Sequence, residues 1–527
     1  MNQDVPTAWA AAGTANTGGG GGAGTASYLV SSAGDGTGYR TPGGAGGTGL
    51  VVVRYMGGDA ATGGAKTAGT GSAVGYTLHT FTTAGANTLT LNPLAATFSG
   101  AIGGTGSFVL NPSAGGKFTF TQNNTYSGGT TLSAGTLQVG TGGATGTLGL
   151  PTATGTVTNN GALIFNHTNN VSYAAPFAGT GTLSVIAAGG LTLTGAATYS
   201  GLTTVTSSAI TYTNNTTPST SGFAGAGTVT IQPAIGGTYA SAFTPNYSLA
   251  STLTGLTLGH GTNTANITLN TAIGIAGPIS IYGGAITVNQ NLNTFTAATA
   301  SAVLLNGQSN VSLASGKSIT TNGGAVTFWS DSDGNGSGYT QMLKDATVTT
   351  NGGAITMGGG TDITTGYAIG EATKDTVTEP TYDLYISGVN LQSGTTLSSG
   401  GGDITLRGQN SGGTPNAMSF GVMGGGTTLP ATLDSGTGKI SITGKATGSG
   451  TTINAQAISS YGTAGMVLRS ANTTAQAISM VGDASGVTGG AASLGVNFVG
   501  TIEATGTGGG ISITGTAGTA TTDVATT

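Results

Sequence analysis

The chain has 527 residues, of which 102 are glycine and only 5% are charged, and its formal net charge is −5. A globular domain usually carries about 25% charged residues, so this composition argues against an ordinary cytosolic enzyme. The 11 Lys and Arg residues are too few for a phosphate-binding stripe, which excludes a nucleic-acid partner, and the absence of Cys excludes disulfides and thiolate metal sites.

The chain is rich in Val, Ile and Thr, whereas disordered chains have high net charge and few β-branched residues, so we expect a folded protein. No segment approaches the ~20 apolar residues of a membrane span. Residues 1–12 also lack the basic and apolar regions of a signal peptide. If the protein is exported, we expect its signal and an outer-membrane translocator to lie outside this sequence.

Glycine dominates residues 1–64, which we predict to be irregular or packed as polyglycine-like strands. One strand pattern stands out at Leu50–Tyr55, and the segment Gly75–Phe81 follows it. Together with the glycine runs, these patterns resemble a glycine-rich module of large bacterial surface and phage-tail proteins.

Internal repetition begins after this region. The segment Phe118–Leu132 recurs 73 residues later as Leu191–Val205, with alternating apolar and Thr positions in both copies. Such a unit cannot bury its apolar face alone, so copies must stack on one another to share a core. The repeat therefore predicts a solenoid.

The motif Asn124–Gly140 resembles the autotransporter-associated β-strand repeat, and Val157–Asn166 continues it. The second copy is degraded, since Leu202 replaces a glycine of the motif. We assign residues 65–250 to a β-helix of this type. The resemblance implies an extracellular or cell-surface location in a Gram-negative bacterium.

Residues 251–527 repeat a different phrase, in which a Gly-Gly turn opens a short strand. It occurs at 283–288, 323–328, 352–357, 401–406 and 509–514. This part resembles the repeats of filamentous haemagglutinin-type adhesins. Short strands that return after tens of residues, with few hairpin turns, predict an all-β chain folded as a right-handed parallel β-helix.

Carboxylates are absent from residues 60–330, which excludes paired-acid catalysis and hard-cation binding there. After them, Asp331, Asp333 and Asn335 alternate as in the first half of a calcium-binding EF-hand loop, but Met342 stands where that loop has Glu. An acidic turn between two coils is the preferred interpretation, and a calcium site is the alternative. The neighbouring Trp329 is the best candidate for an exposed, ligand-binding ring.

Two further sets of residues are candidate binding sites, and each also has a purely structural interpretation. Acidic residues recur every four positions in 371–383, where Pro380 argues against a helix, so we expect a partner-binding loop. The aromatic residues of the repeats could stack on sugars, but their strand positions favour core packing: Phe118, Phe120, Tyr126, Phe165 and Tyr199.

Thr-X-Thr runs at 119–121, 192–194 and 512–514 would form an ice-binding array if they were aligned on one face, although outward Thr also keeps strands soluble. A catalytic polysaccharide-cleaving site could be hosted only by residues 331–403, with Arg407 as the nearby Arg. We therefore expect a non-enzymatic structural and adhesive stalk. Its expected partners are other copies, other surface proteins or glycans; the alternatives are a polysaccharide-binding or polysaccharide-cleaving β-helix and an ice-binding adhesin segment.

Overall fold

The computed structural model describes residues 26–27, 39–40, 51–56, 61–81, 89–91, 95–111, 115–149, 155–370, 372–373, 385–412, 418–449, 454–490 and 492–520. Most of the predicted glycine-rich region lies outside these residues. The chain divides into two compact units, residues 1–184 with 198–200 and residues 185–197 with 201–527. The predicted module boundaries after residues 64 and 250 stay a prediction. No helix in the described ranges is both long and apolar enough to cross a membrane.

The first unit is built from strands, apart from a short 3-10 helix at Gly71–Ala73. The strands up to residue 185 are Ala26–Ser27, Tyr39–Arg40, Val51–Met56, Ala61–Thr62, Ala65–Ala68, Tyr76–Phe81, Leu89–Leu91, Ala95–Phe98, Phe108–Leu110, Lys117–Phe120, Thr130–Leu132, Thr136–Gly143, Val157–Asn159, Ala162–His167, Val171–Tyr173, Phe177–Ala178 and Thr182–Val185. The strand predicted at Leu50–Tyr55 is present as Val51–Met56, and it pairs antiparallel with the strand Tyr76–Phe81.

From Leu89 onward most strands of the first unit belong alternately to two sheets, and within each sheet they pair in parallel. Phe98, Phe120, Val139 and Phe165 are register partners on neighbouring strands of one sheet, and all four side chains are buried. The rings of Phe98 and Phe120 contact each other, with centroids 6.0 Å apart. Phe118, Tyr126 and Tyr199 are at most 2% exposed, so the aromatic residues of the repeats belong to the core, as preferred from the sequence.

The second unit contains three stacked sheets and a smaller group of strands at Thr203–Val205, Gly222–Ala224 and Ser248–Leu249. What we call the long sheet comprises Leu191–Leu193, Ala209–Thr213, Thr228–Gln232, Gly255–Leu258, Ile279–Gly283, Val303–Gly307, Val326–Ser330, Ile355–Gly359, Ile404–Asn410, Ile440–Ser449, Ile478–Gly490 and Ile511–Thr516, with Ala368–Gly370 and Thr519–Ala520 at its margin. The second sheet comprises Ile267–Leu269, Ile286–Val288, Val311–Leu313, Thr340–Met342, Tyr385–Leu391, Met418–Gly425, Asn454–Tyr461 and Ala492–Asn497, with Ala372–Thr373 beside it. The third sheet comprises Ile273–Gly274, Leu292–Asn293, Ser318–Thr320, Thr347–Thr349, Thr396–Ser398, Ala431–Asp434, Met466–Ser470 and Gly500–Ala504.

From residue 255 the chain visits the long, second and third sheets in a fixed order, and successive coils pair in parallel. Side chains alternate between the core and the outer surface, as the pleat of a strand requires. In the third sheet Ile319, Val348 and Leu397 are register partners, and each is fully buried. This arrangement confirms the all-β, parallel β-helix fold; its handedness stays a prediction.

A ladder of buried hydroxyl groups occupies the corner between the third sheet and the long sheet. Each hydroxyl oxygen lies within hydrogen-bonding distance of the carbonyl oxygen of the glycine three residues later and of a carbonyl oxygen in the next coil. The distances to the next coil are 3.2 Å from Thr321 to Thr350, 3.1 Å from Thr350 to Ser399 and 3.2 Å from Ser399 to Ser435. The carbonyl oxygens of Thr350, Ser399 and Ser435 also accept a hydrogen bond from a backbone N–H group, so the ladder adds a side-chain link between coils that the backbone already joins.

The glycines of the Gly-Gly phrases stack at the same corner. A Cβ atom on Gly353 would overlap the carbonyl oxygen of Gly324, and one on Gly402 would overlap that of Gly353. The next coil repeats the contact with Gly438 against Gly402. The second glycine of each phrase is therefore needed because neighbouring coils approach too closely for any side chain.

An additional layer lies outside this core in the C-terminal coils. There the strands of the long and second sheets run on past their corner and pack on each other with small side chains. Their buried cluster is formed by Ala446, Ala455, Ala457, Ala484 and Val487. Glycines allow the approach, because a Cβ on Gly444 would overlap the carbonyl oxygen of Ala457.

We expect Gly353→Ala to destabilise the second unit, because the added methyl group overlaps the backbone of the preceding coil. Overpacking of this kind costs about 1–3 kcal/mol. Gly261→Ala is the matched control, since nothing lies within 4 Å of its Cβ position. Urea unfolding followed by circular dichroism should give a lower midpoint for Gly353→Ala alone; equal midpoints for the two variants would contradict the stacked-glycine account.

Candidate functional site on the long sheet

Two aromatic side chains and an amide form a column on the outer face of the long sheet. Tyr282 is the register partner of Asn306, and Asn306 is the partner of Trp329. The residues just before Tyr282 and Trp329, Ile281 and Phe328, are fully buried, so the three column side chains lie on the opposite, outer face. All three are partly exposed. We call this column the aromatic strip.

The indole of Trp329 is held in place by the chain that follows the next strand. Its Nε1–H donates a hydrogen bond to the carbonyl oxygen of Gly360, with a nitrogen-to-oxygen distance of 2.7 Å. The register partner of Trp329 in the next strand is Gly358, and Ile363 and the carbonyl oxygen of Gly366 lie over that glycine. The ring predicted from the sequence to be exposed is thus half-buried and fixed in orientation.

The acidic turn directly follows Trp329 and Ser330. Asp331 has a φ of 49°, which places it in the left-handed region, and its side chain is 2% exposed. One carboxylate oxygen accepts hydrogen bonds from the backbone N–H groups of Gly336 and Ser337, at 2.9 and 3.2 Å. The Asp331 carboxylate therefore closes the turn from within.

The other two predicted site residues lie at the tip of the turn. Asp333 and Asn335 are exposed, and the Asn335 amide donates to the Asp333 carboxylate at 2.9 Å. Burial raises the pKa of Asp331, although the hydrogen bonds from Ser337 and Gly336 oppose this effect. The described ranges contain no group of three or more His or acidic residues that could hold a metal ion. A calcium site at Asp331, Asp333 and Asn335 stays a prediction.

A second loop, residues 360–367, lies close to the strip. Its Asp362 is exposed and accepts hydrogen bonds from the backbone N–H and hydroxyl of Thr364. These bonds, with a smaller contribution from Arg407, lower the pKa of Asp362. The predicted acidic loop, represented by Glu371, Asp375, Glu379 and Asp383, lies outside the described residues.

Sequence reasoning missed Tyr282 and Asn306 as members of this site. They precede Trp329 by 47 and 23 residues, and only the register brings the three together. Aligning the Ile279, Val303 and Val326 strand starts would have placed them in one column. That signal was present in the sequence, but it was hidden by coils of unequal length.

His167 is a buried ionisable side chain of the first unit that the sequence analysis did not select as a site residue. His167 is 3% exposed, and neither ring nitrogen has a hydrogen-bond partner within the described residues. Burial lowers the pKa of His167, so the imidazole is neutral at physiological pH. Its ring packs near Phe165, with centroids 6.5 Å apart, which makes it part of the core.

Comparison with known proteins identifies one family in two segments. The model of the passenger-associated-transport-repeat matches residues 115–139 and 188–207. These segments contain the strands Lys117–Phe120 and Leu191–Leu193 and the buried tyrosines Tyr126 and Tyr199. Searches of curated proteins and of solved structures found no match.

The match confirms the resemblance to the autotransporter passenger repeat. It indicates a passenger region, and with it a secreted or surface location in a Gram-negative bacterium and a translocator elsewhere. The N-terminal glycine-rich module and the haemagglutinin-type resemblance of residues 251–527 stay predictions.

We expect Asp331→Asn to keep the turn, because an amide oxygen can accept the same two N–H groups and Asn tolerates the left-handed region. A carboxyl with a raised pKa in the folded state stabilises the fold at low pH, and this contribution is lost as the pH rises through that pKa. The variant should therefore gain thermal stability relative to the parent as the pH rises from about 4 to 7.

Asp333→Asn is the control for this experiment, because the Asp333 side chain is exposed at the tip of the same turn. Its melting profile should follow that of the parent. A stability difference between Asp331→Asn and the parent that does not move in the variant's favour from pH 4 to pH 7 would contradict the account. A melting midpoint that calcium raises in the parent but not in Asp331→Asn would favour the calcium interpretation instead.

Proposed function

We propose that the chain is a structural and adhesive stalk of a passenger region, which spaces and presents contact surfaces outside the cell. The observation that carries this proposal is the in-register stacking of coils whose lengths differ. Neighbouring corner hydroxyls are 29, 49 and 36 residues apart along the chain, yet each interval is a single coil in the stack. A scaffold that tolerates such variation serves as a spacer on which loops can differ.

The outer surface supports the same proposal. In the long sheet, Thr211, Thr230 and Thr257 are register partners on the outer face, and Ser280 continues the column. Hydroxyl columns keep the strands soluble without charges. The proposed partners are other copies of the chain or other surface proteins, through contact or self-association, and no catalytic role is proposed.

Deletion of residues 321–349 tests the stalk function. Thr320 and Thr349 are register partners, so the cut joins Thr320 to Thr350, which begins the same Thr-Asn-Gly-Gly phrase as Thr321. Exactly one coil is then removed in phase. We expect the shortened chain to fold with a near-parental melting midpoint. Because the cut also removes Trp329, attachment is measured between cells and not on polysaccharide surfaces, and we expect it to be kept.

The control deletion removes residues 321–348, one residue fewer, and shifts the following strand out of phase. A one-residue shift turns the side chains of a strand to the opposite face of the sheet, so this variant should melt at a lower temperature than the in-phase deletion. Loss of attachment in the in-phase deletion, despite retained β-structure, would place contact in a local site of that coil and overturn the stalk proposal.

Ice binding is a second candidate, because the register aligns hydroxyl pairs that are irregularly spaced in the sequence. Residues 318–320, 347–349 and 396–398 each place two hydroxyls on the outer face of the third sheet in successive coils. Thr192 and Ser512 also stand in outward positions of the long sheet. Thermal hysteresis of the purified chain would support this candidate, and its absence would remove it.

A further inference from the structure

We propose that the aromatic strip of Tyr282, Asn306 and Trp329 is a binding site for a neutral, linear polysaccharide lying across the strands of the long sheet. The proposal does not rest on the stalk function, since a spacer needs no such site. Along the coil axis the strip offers three interactions one after another. A sugar can stack on the first ring, the next can form hydrogen bonds to the amide, and a further one can stack on the second ring.

The spacing of the strip supports an extended ligand. Neighbouring strands lie ~4.8 Å apart, so Tyr282 and Trp329 are separated by about 9.6 Å across the sheet. Two rings at this separation can each contact a different sugar of the same chain through their faces. Asn306 lies between them, and its amide can both donate to and accept from sugar hydroxyls.

The strip is also rigid before any ligand arrives. The backbone beneath it is fixed by Ile281, Leu305 and Phe328, which are fully buried. The Trp329 ring is held by its hydrogen bond to Gly360. A ring that is already oriented loses little side-chain entropy on binding, which favours affinity.

The charges around the strip select a neutral ligand. The residues of the strip are uncharged, and the outward column beside it contains Ser280, Leu304 and Thr327. The charged groups close to Trp329 are the exposed carboxylates of Asp333 and Asp362 and the half-buried Arg407, which lies beside Gly358 and acts on Asp362, so acids are in excess. These acids repel a polyanion, whereas an uncharged polyhydroxylated chain meets no ion that must be desolvated.

Affinity electrophoresis of the full chain tests the proposal, with hydroxyethylcellulose, amylose and galactomannan as neutral probes and heparin as the polyanion. We expect at least one neutral probe to retard the chain and heparin not to do so. Trp329→Ala and Tyr282→Ala should each weaken that retardation at least tenfold, while Tyr282→Phe, which keeps the ring, should restore most of it.

The matched control is Phe295→Ala, which removes a ring that is 50% exposed away from the strip and should not change retardation. Circular dichroism establishes that each variant is folded, and Trp329→Phe replaces Trp329→Ala if the latter does not fold. The proposal is overturned if no neutral probe retards the parent, if heparin binds more strongly, or if the strip variants bind as well as the parent.

Discussion

The second unit depends on the close contact of coils at the corner between the third sheet and the long sheet. There a buried hydroxyl and a glycine act together: the glycine lets two backbones meet, and the hydroxyl bonds to carbonyl groups that the contact removes from water. A buried hydroxyl left without an acceptor would cost ~1–3 kcal/mol, so these carbonyls satisfy the hydroxyl as well as joining the coils. Because the same pair recurs in successive coils, each coil positions the next one.

This corner separates the constant part of each coil from the variable part. The interval from Thr350 to Ser399 is 49 residues, against 29 for the preceding coil, because it includes additional loops such as 360–367, and the chain still returns to the same register. Excursions of this kind can carry recognition residues without disturbing the stack, since loops tolerate changes that the core does not. The two loops beside Trp329 illustrate how specificity can be added to a uniform scaffold.

Local patterns predicted much of the fold. The Gly-Gly motifs and the repeat at a spacing of 73 residues predicted stacked short strands. The alternation of apolar and Thr positions predicted that Phe118, Phe120 and Phe165 are buried. The site was less predictable, because register is a long-range property that unequal coil lengths conceal. Trp329 and the acidic turn were visible as a local cluster, whereas Tyr282 and Asn306 required the register. The Asp331 carboxylate accepts hydrogen bonds from backbone N–H groups inside its own turn. Every residue except proline has such a group, so the residue types could not predict this contact.

The nearly uncharged surface has a consequence for the environments in which the fold persists. Surface ion pairs weaken as ionic strength rises, since the Debye length falls from ~10 Å at 0.1 M salt to ~3 Å at 1 M. Among the described residues one such pair is Arg469 with Glu503, at 2.9 Å. Residues 60–330 contain no carboxylate at all, so their cohesion rests on apolar contacts and neutral hydrogen bonds. Salt therefore removes little of the free energy of unfolding of such a fold, in fresh water or in brine.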